Sequence, residues 1–398
     1  MRALFIGSYP NDVEPYRSVF FRQLIHGFAD MGVECHVISC VSYTLYRGRS
    51  GDIPKFRTET TPSGATVKVY YPHIVTYSAK KIGSWNTIHL TQAAIEQAVI
   101  KQVKKIGLDF DFVYGHFFIG GGLTAAKVGR RFGIPAYIAY GECNFDTEVR
   151  NKIGDITKKH MEGVRGIISV SGANCAELER RGFAEDIPVL LSVNSVNNSV
   201  FYPKDKLECR RKLGLDSDDF IVGFVGYFIE RKGPHRLLDA CRNIEGVKLA
   251  FAGRGENAPK GENVVFCRSL LHEEVADFLG AVDVFALPTL NEGCCNAVVE
   301  AMACGKAIIS SDLPFNHDVL NSENSILVDP RNIGEIESAV RLLYSDPDKR
   351  ARLSENALRD ARELTIPIRA RNILNFIEKT CGAKNKDVEN KEISAESH

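Results

Sequence analysis

The stretch of sequence that decides the fold is Val282–Gly305, which reads VDVFALPTLNEGCCNAVVEAMACG. Its apolar start, Val282–Pro288, predicts a buried strand, Thr289–Asn296 predicts a loop, and Ala297–Cys304 predicts a helix that ends at the glycine. A loop that leads from a strand into a helix brings free backbone N–H groups and the positive end of the helix dipole to the edge of a parallel sheet. Ligands of open α/β sheets bind at this edge, so the stretch predicts an α/β domain with an anion site.

Short apolar runs alternate with longer amphipathic stretches through most of the 398 residues. Strands that are separated by helical crossovers form a parallel sheet that is covered on both faces. The polar, turn-rich stretch Leu190–Pro203 interrupts this pattern and predicts a linker. We therefore expect two doubly wound, Rossmann-like α/β domains, an N-terminal one at 1–190 and a C-terminal one at 191–365. The almost wholly polar end, 382–398, is expected to be disordered.

The composition argues against several classes of protein. Basic and acidic residues number 50 each, so the chain has no overall positive field with which to hold nucleic acid. The eleven cysteines are scattered and form no C-x-x-C pair, and the N-terminus carries no secretory signal, a combination typical of reduced thiols in the cytoplasm. No apolar run reaches about 18 residues, so no membrane-spanning segment is predicted.

Charged residues stand in two of the predicted loops. Glu292 lies in the loop after the strand at Val282, where it could accept hydrogen bonds from sugar hydroxyls. Glu300, eight residues later and inside the predicted helix, could accept them from a ribose diol. Arg231 and Lys232 stand between another predicted strand and helix, where a lysine can serve as a point charge for phosphate. Spacing alone leaves a second interpretation open, in which these are solvated surface carboxylates and a solvated turn.

A resemblance to a known family is carried by one long motif, Glu292-Gly293-x-x-Asn296-x-x-x-Glu300-Ala301-Met302-Ala303-x-Gly305. This motif resembles the signature of family 4 of the retaining glycosyltransferases (glycosyl transferases group 1), which have the GT-B fold. The resemblance covers nearly the whole chain and is strongest in its second half. It implies two Rossmann-like domains that face each other across a cleft, the first binding the acceptor and the second the nucleotide sugar. It also implies that a C-terminal helix at about 366–380 crosses back to the first domain.

The resemblance assigns roles to residues of the second domain. Glu300 would bind the nucleotide ribose, Glu292 the hydroxyls of the donor sugar, and Lys232 the diphosphate. The family's arginine falls at Tyr227, where this sequence departs from the pattern, and Arg231 is the substitute that the sequence offers. The remaining predicted contacts to the donor are Gly293, the amides around Cys295, Asn296 and Ala297, and the turn at Gly253 and Arg254.

The first domain contributes His116, which follows the predicted strand Asp111–Tyr114. By resemblance this histidine contacts the donor sugar near the reacting centre, and a purely structural histidine is the alternative. The loop that contains Gly7, Ser8 and Arg17 is predicted to meet the acceptor or a phosphate. It lacks the family's glycine pair, and Arg17 could equally be an exposed loop cation.

The function implied is transfer of a sugar from a nucleotide diphosphate sugar to an acceptor hydroxyl with retention of configuration, in glycan, polysaccharide or glycolipid biosynthesis. No cofactor and no metal are expected. The acceptor could be a glycan, a lipid-linked molecule or a small molecule. The helix predicted at Asn86–Lys105 has a basic end, which either meets the inner face of a membrane or is solvated while the helix packs on the sheet. The alternatives are a non-catalytic nucleotide-sugar-binding protein, a sugar-nucleotide epimerase and a glycan phosphorylase of the same fold.

Overall fold

A computed structural model describes residues 1–46, 48–83 and 85–395 of the chain. The chain divides into two compact units. Unit 1 consists of residues 1–192 together with the chain from Ile366 onward, and unit 2 is Val193–Thr365. The first division between the units therefore falls inside the polar stretch at 190–203.

Unit 1 is built on an eight-stranded sheet with the strand order β12-β11-β10-β9-β1-β2-β5-β4. All neighbouring pairs are parallel except β4 with β5. The strands of this unit are β1 (Arg2–Ile6), β2 (Glu34–Ile38), β3 (Val41–Ser42), β4 (Phe56–Thr60), β5 (Thr66–Tyr70), β6 (His73–Ile74), β7 (Lys81–Ile82), β8 (Trp85–Asn86), β9 (Phe112–His116), β10 (Ala136–Tyr140), β11 (Val164–Ser169) and β12 (Val189–Leu191). The helices before the first division are α1 (Val19–Asp30), α2 (Ile88–Ile106), α3 (Leu123–Phe132), α4 (Asn151–Ile153), α5 (Lys158–Met161) and α6 (Gly172–Arg180).

The centre of this sheet is β1, whose apolar residues are buried because helices cover both faces. From β1 the chain builds the sheet outward on one side through β2, and later returns to the other side of β1 with β9. The strand order reverses between β1 and β9, and such a switch point opens a crevice at the carboxyl ends of the two strands. This crevice is where His116 and Gly7 lie.

Helix α2 packs on one face of the same sheet. Its Val99 and Val103 are buried in an apolar cluster with Leu4 of β1 and Val113 of β9. Lys104 and Lys105 stand exposed in its last turn. The apolar face of this helix therefore packs on the sheet, as one of its two interpretations expects. Among the described residues, no helix combines the length and apolar character that a membrane crossing needs.

Unit 2 has a fully parallel six-stranded sheet with the order β15-β14-β13-β16-β17-β18. Its first strand lies in the middle, the second and third lie on one side, and the last three lie on the other, which is the order of a doubly wound Rossmann sheet. The strands are β13 (Phe220–Tyr227), β14 (Val247–Arg254), β15 (Val264–Arg268), β16 (Val284–Leu287), β17 (Ala307–Ser311) and β18 (Ser325–Val328). The helices are α7 (Lys206–Leu213), α8 (Pro234–Cys241), α9 (His272–Ala281), α10 (Asn296–Ala303), α11 (Ile333–Ser345) and α12 (Pro347–Ala361).

The last helix, α13 (Ile366–Ala395), returns to unit 1. It packs closely on α1, since a Cβ added at Gly27 would lie 2.8 Å from Cγ2 of Ile366 and 3.2 Å from Cβ of Ala370. Ile373 and Ile377 of the same helix are buried in the core of unit 1. Unit 1 is thus completed by chain that follows unit 2.

The helical state of α13 differs from the sequence prediction beyond residue 381. The sequence predicted a helix at about 366–380 and a disordered tail at 382–398, whereas α13 continues to Ala395. After Gly382 the chain has no glycine or proline and is rich in Lys and Glu, which favour helix. Residues 396–398 lie outside the described residues.

Candidate active site

The switch point of unit 2 lies between β13 and β16, so the loops that follow these two strands share one crevice. Gly233 ends the first loop with φ +77°, and a Cβ there would lie 2.5 Å from the carbonyl oxygen of Pro288 in the second. Only glycine allows this approach. The backbone N–H of Leu290 also donates to the carbonyl of Arg231 at 2.8 Å. The two loops are therefore held in direct contact.

Glu292 is the meeting point of the two loops. Its Oε1 lies 2.7 Å from Nζ of Lys232 and 2.5 Å from Nη1 of Arg231, and it accepts a 3.0 Å hydrogen bond from Oγ1 of Thr289. Arg231 also donates to the carbonyl of Asn291 at 2.5 Å. The structure thus brings together three predicted site residues, Arg231, Lys232 and Glu292, on one nearly buried carboxylate oxygen.

The charge on Lys232 is maintained despite its burial. Burial acts to lower the pKa of Lys232, but Cys295 and the Glu292 carboxylate raise it, and the net direction is upward. Nζ of Lys232 lies 4.0 Å from Sγ of Cys295, and burial raises the pKa of that thiol above its ordinary value. A thiol of raised pKa is neutral near pH 7, so Glu292 is the charge that holds the ammonium.

Helix α10 starts at the same crevice, directly after Cys295. Asn296 and Glu300 are four residues apart and share one face of the helix. Oδ1 of Asn296 is buried and has no hydrogen-bond partner among the described residues. The side chain of Glu300 is 14% exposed, and Nδ1 of His272 lies 3.9 Å from its Oε1. Burial, opposed by Lys232, raises the pKa of Glu300 to about 7. Such buried acceptors are costly unless a donor reaches them, so this face is suited to a ligand that carries hydroxyl groups.

The ends of β13 and β14 lie side by side at this edge of the sheet, with Tyr227 in register with Arg254. Nη2 of Arg254 donates to the Tyr227 hydroxyl at 2.9 Å, and its guanidinium lies 5.2 Å from the centre of the ring. A Cβ at Gly253 would come within 1.9 Å of the carbonyl oxygen of Gly226, so close strand packing already requires that glycine. Tyr227, which stands where the resemblance expects an arginine, is thus hydrogen-bonded to Arg254 of the next strand.

The other predicted contacts of unit 2 lie where α10 begins. Gly293 and Cys295 are buried, and Ala297 is half-buried in the first turn of the helix. Their roles as diphosphate contacts stay predictions, and so do the roles of the residues above. Among the described residues, no group of three His, Cys, Asp or Glu side chains is placed to hold a metal ion.

His116 ends β9 at the switch point of unit 1. A Cβ at Gly7, which follows β1, would lie 2.9 Å from the Cβ of His116, so these two predicted residues are neighbours. The imidazole stacks on Phe21 at 4.3 Å between centroids and 17° between planes. Both ring nitrogens are buried without a hydrogen-bond partner among the described residues. Burial, together with the charge of Arg369, lowers the pKa of His116 to about 3, so the ring is neutral at physiological pH.

The turn after His116, residues 117–122, is held by a residue whose role the sequence did not reveal. Oε1 of Glu142 accepts a 2.7 Å hydrogen bond from the backbone N–H of Phe118. A Cβ at Gly121 would lie 2.3 Å from the carbonyl oxygen of His116, so the turn folds tightly back on the strand. Burial raises the pKa of Glu142 to about 7. The sequence predicts a strand at Ile134–Tyr140 with Glu142 after it, facing the cleft, but it does not predict the hydrogen bond from Phe118.

The predicted acceptor loop is only partly gathered at this crevice. Ser8 is exposed next to Gly7. Nη1 of Arg17 pairs with Oε2 of Glu14 at 2.8 Å and donates to the Tyr46 hydroxyl at 3.4 Å. In this state Arg17 is engaged by Glu14 and Tyr46, and its contact with an acceptor or phosphate stays a prediction.

Comparison with known proteins now adds to this geometry. Residues 205–360 match the family model described as Glycosyl transferases group 1. The matched segment lies within unit 2. The chain is 22% identical over 351 residues to the putative teichuronic acid biosynthesis glycosyltransferase TuaC of Bacillus subtilis. This alignment covers 85% of this chain and 88% of the relative. It is 24% identical over 299 residues to N,N'-diacetylbacillosaminyl-diphospho-undecaprenol alpha-1,3-N-acetylgalactosaminyltransferase of Campylobacter jejuni, covering 70% of this chain and 79% of the relative.

Solved structures resemble both units at once. Sucrose-phosphate synthase from Thermosynechococcus elongatus superposes with a TM-score of 0.73 at 18% identity, over 96% of this chain and 99% of that one. HepE of Anabaena, in complex with UDP and glucose, superposes with a TM-score of 0.69 at 16% identity, over 95% of this chain and 99% of that one. These likenesses, with the two doubly wound sheets, confirm the predicted fold, two Rossmann-like α/β domains of the GT-B class.

Proposed function

We propose that this protein transfers a sugar from a nucleotide diphosphate sugar to an acceptor hydroxyl, with retention of configuration, in the assembly of a polysaccharide or glycolipid. The observation that carries the proposal is the shared crevice of unit 2, where a charged lysine, a helix N-terminus and an unsatisfied buried oxygen acceptor converge. The group 1 match of this unit supports it. The named activities of the relatives, in teichuronic acid and undecaprenol-linked glycan synthesis, support the class of acceptor.

The diphosphate of the donor is assigned to Lys232 and the first turn of α10. Backbone N–H groups at the start of a helix, with the helix dipole, attract phosphate oxygens. Lys232 supplies a full positive charge that Glu292 already holds in position. A charge that needs no reorganisation during the reaction stabilises the departing diphosphate in the transition state more effectively than a mobile one.

The ribose of the donor is assigned to Asn296 and Glu300. A ribose diol can donate one hydrogen bond to each oxygen of a carboxylate, and the Asn296 carbonyl is a further buried acceptor. Glu292 is assigned to the donor sugar. Because its Oε1 is occupied by two cations and Thr289, we expect Oε2 to meet the sugar hydroxyls.

The chemical step is a group transfer in which the bond between the anomeric carbon and the phosphate oxygen breaks. The acceptor oxygen forms the new bond on the face from which the phosphate leaves, and a phosphate oxygen takes the hydroxyl proton. This route retains the anomeric configuration without a covalent enzyme intermediate, and we assign no residue as nucleophile. His116, which lies in unit 1, keeps its predicted contact with the donor sugar as part of this proposal.

Two other functions make different predictions. A non-catalytic binding protein would bind the nucleotide sugar without transfer or slow hydrolysis. An epimerase would convert the donor without any acceptor. The pairing of Lys232 with Glu292 beside a helix N-terminus favours transfer, because it places fixed positive charge where a leaving diphosphate develops negative charge.

The proposal is tested first by thermal unfolding with uridine and guanosine diphosphates and their sugars. A nucleotide present at about 100 times its Kd should stabilise the protein by roughly 2.7 kcal/mol. We expect the shift with one base class, and we expect its loss in Glu300→Ala but not in Glu355→Ala, an exposed glutamate on α12. No shift with any nucleotide would overturn the proposal. The anomeric configuration of the product, read by proton NMR, tests retention separately.

A further inference from the structure

A second charged cavity lies in unit 1, outside the residues assigned above. It has a volume of about 410 Å³, is open to solvent, and lies between α2, α3 and α5. We call it the α2–α3–α5 cavity. Its charged or titratable lining residues are His89, Glu96, Lys127, Arg130, Lys159 and His160.

The lining carries an excess of positive charge. Lys127, Arg130 and Lys159 are cations, and Glu96 is the one carboxylate among the lining residues. Oε2 of Glu96 pairs with Nζ of Lys127 at 2.5 Å, and its Oε1 accepts a 3.0 Å hydrogen bond from Nε2 of Gln92. The lining therefore keeps two positive charges before either histidine is protonated. In a chain whose charges balance overall, this local excess favours an anion.

The arrangement of these groups suits phosphate in particular. Arg130 donates through Nη1 to the backbone carbonyl of Lys159, which joins α3 to α5 and orients the planar guanidinium. A guanidinium can meet two phosphate oxygens at once, and a lysine adds a point charge. A cavity of a few hundred Å³ is in the range of small-molecule sites, so a phosphate or diphosphate fits with room for an attached group.

The floor of the cavity is hydrogen-bonded to the turn that follows His116. Oε1 of Gln92 accepts from the backbone N–H of Gly120 at 2.9 Å, and Nε2 of Gln92 donates to Oγ1 of Thr124 at 3.2 Å. Gly120 belongs to the turn at 117–122. Gln92 therefore connects the cavity directly to the turn that follows His116.

We infer that the α2–α3–α5 cavity binds a phosphate or diphosphate group of the acceptor. Calling the ligand an acceptor rests on the proposed function, whereas anion binding at this place does not. The phosphate could belong to a water-soluble phosphorylated acceptor or to a lipid at a membrane surface, and the experiment separates these two sources.

The test is lysine labelling of the full-length protein, read residue by residue by mass spectrometry, with and without inorganic pyrophosphate. We expect pyrophosphate to reduce labelling of Lys127 and Lys159 several-fold. Labelling of Lys101 on the exposed face of α2 should stay unchanged, as should that of Lys158, which pairs with Asp186. Sodium chloride at the same ionic strength controls for screening. Equal protection by sodium chloride would overturn the inference.

Variants and vesicles sharpen the same measurement. Arg130→Gln should abolish the protection of Lys127 and Lys159, Arg130→Lys should restore part of it, and Lys101→Gln should leave it intact. Protection by vesicles of anionic phosphatidylglycerol, but not by free pyrophosphate or by phosphatidylcholine vesicles, would identify a lipid source. Protection by free pyrophosphate identifies a water-soluble one, and protection by neither overturns the inference. Labelling of Lys232 with a nucleoside diphosphate reports the donor site in the same samples, so failure of the proposed function is read independently.

Discussion

Lys232 and Glu292 form a 2.7 Å ion pair that joins the two loops at the switch point of unit 2, with side chains only 12% and 9% exposed. The two residues come from different loops, 60 positions apart in the chain. Without Glu292 the buried ammonium of Lys232 would lose its carboxylate partner, whereas Glu292 without Lys232 would keep its pairing with Arg231. The pair therefore holds the two loops together and also fixes the position of the lysine charge.

Lys232→Ala should reduce transfer far more than it reduces binding of the donor. Loss of one preorganised charge at a developing anion lowers kcat by about 10²–10³. The exposed Lys260→Ala in the same unit is the matched control and should leave kcat unchanged. Steady-state kinetics with the identified donor give both numbers. A Lys232→Ala enzyme with wild-type kcat would remove this residue from the mechanism.

Glu300 should make donor binding depend on pH near neutrality. Its pKa of about 7 in the folded protein exceeds the ordinary carboxyl value, so the folded state is favoured below the ordinary pKa and loses stability as pH rises toward 7. The carboxylate form accepts ribose hydroxyls, so donor affinity should rise over the range in which stability without donor falls. Glu300→Gln should flatten the affinity profile and lessen the slope of the stability profile, both measured by calorimetry from about pH 5 to 8.

Glu142 also titrates at about pH 7 and is the necessary control for that profile. Because Glu142 lies in unit 1, Glu142→Gln should leave the pH dependence of donor affinity in place. If Glu142→Gln flattened the affinity profile and Glu300→Gln did not, the assignment of the ribose to Glu300 would be wrong.

His116→Phe should separate the chemical role of this ring from its packing. Phenylalanine keeps the stack on Phe21, so we expect a change of less than about 1.5 kcal/mol in stability, while transfer falls because the ring nitrogens are lost. His116→Ala should cost about 2–5 kcal/mol, as large-to-small core substitutions do. Stability is measured by unfolding in urea, and transfer is measured separately. If His116→Phe were as active as the wild type, the structural interpretation of His116 would be favoured.

Arg254→Gln should weaken donor binding by about tenfold, equivalent to about 1.4 kcal/mol, if the guanidinium beside Tyr227 faces the nucleotide. Arg268 is its matched control, because it ends the next strand and lies 5.1 Å from the centre of the Phe266 ring. Arg268→Gln should leave the Kd unchanged in titration calorimetry. Equal effects of the two substitutions would indicate a general loss of positive charge rather than a contact.

Arg210→Met should destabilise unit 2 without affecting the donor site. Arg210 is 1% exposed and donates to the carbonyls of Ala281 and Ser217 and to Oδ2 of Asp283 at 2.8 Å. Removing one partner of a buried ion pair typically costs about 3–5 kcal/mol. The exposed neighbour Arg211→Met is the control, and denaturant unfolding is the measurement. A change in nucleotide Kd in the remaining folded protein would contradict a purely structural role.

The second half of the chain could be predicted closely because its elements follow local rules. The strand, loop and helix predicted for Val282–Cys304 appear as β16 (Val284–Leu287) and α10 (Asn296–Ala303). These elements are continuous apolar runs bounded by turn residues, and no distant partner is needed to recognise them. The doubly wound order then follows from the crossover rule for parallel strands.

The hydrogen-bond and ion-pair partners within the two sites could not be predicted, because they are far apart in the sequence and no local pattern indicates them. The sequence predicts that Glu142 faces the cleft, but it does not reveal that the turn at Phe118 is hydrogen-bonded to this carboxyl group. Arg231 reads as a phosphate ligand, yet Glu292 and Asn291, about 60 residues later, occupy it. The antiparallel pair of β4 and β5 was also missed, because β4 alternates between exposed and half-buried residues and offers no apolar run.

The return of α13 to unit 1 bears on how the protein is made. Unit 2 is continuous in the chain, so all its strands are present once residue 365 has left the ribosome. Unit 1 begins first but waits for Ile366, Ala370 and Ile373 before the apolar groove over α1 is covered. The earliest part of the polypeptide to be translated is thus the last to be finished. During that interval the open groove leaves apolar surface exposed to solvent.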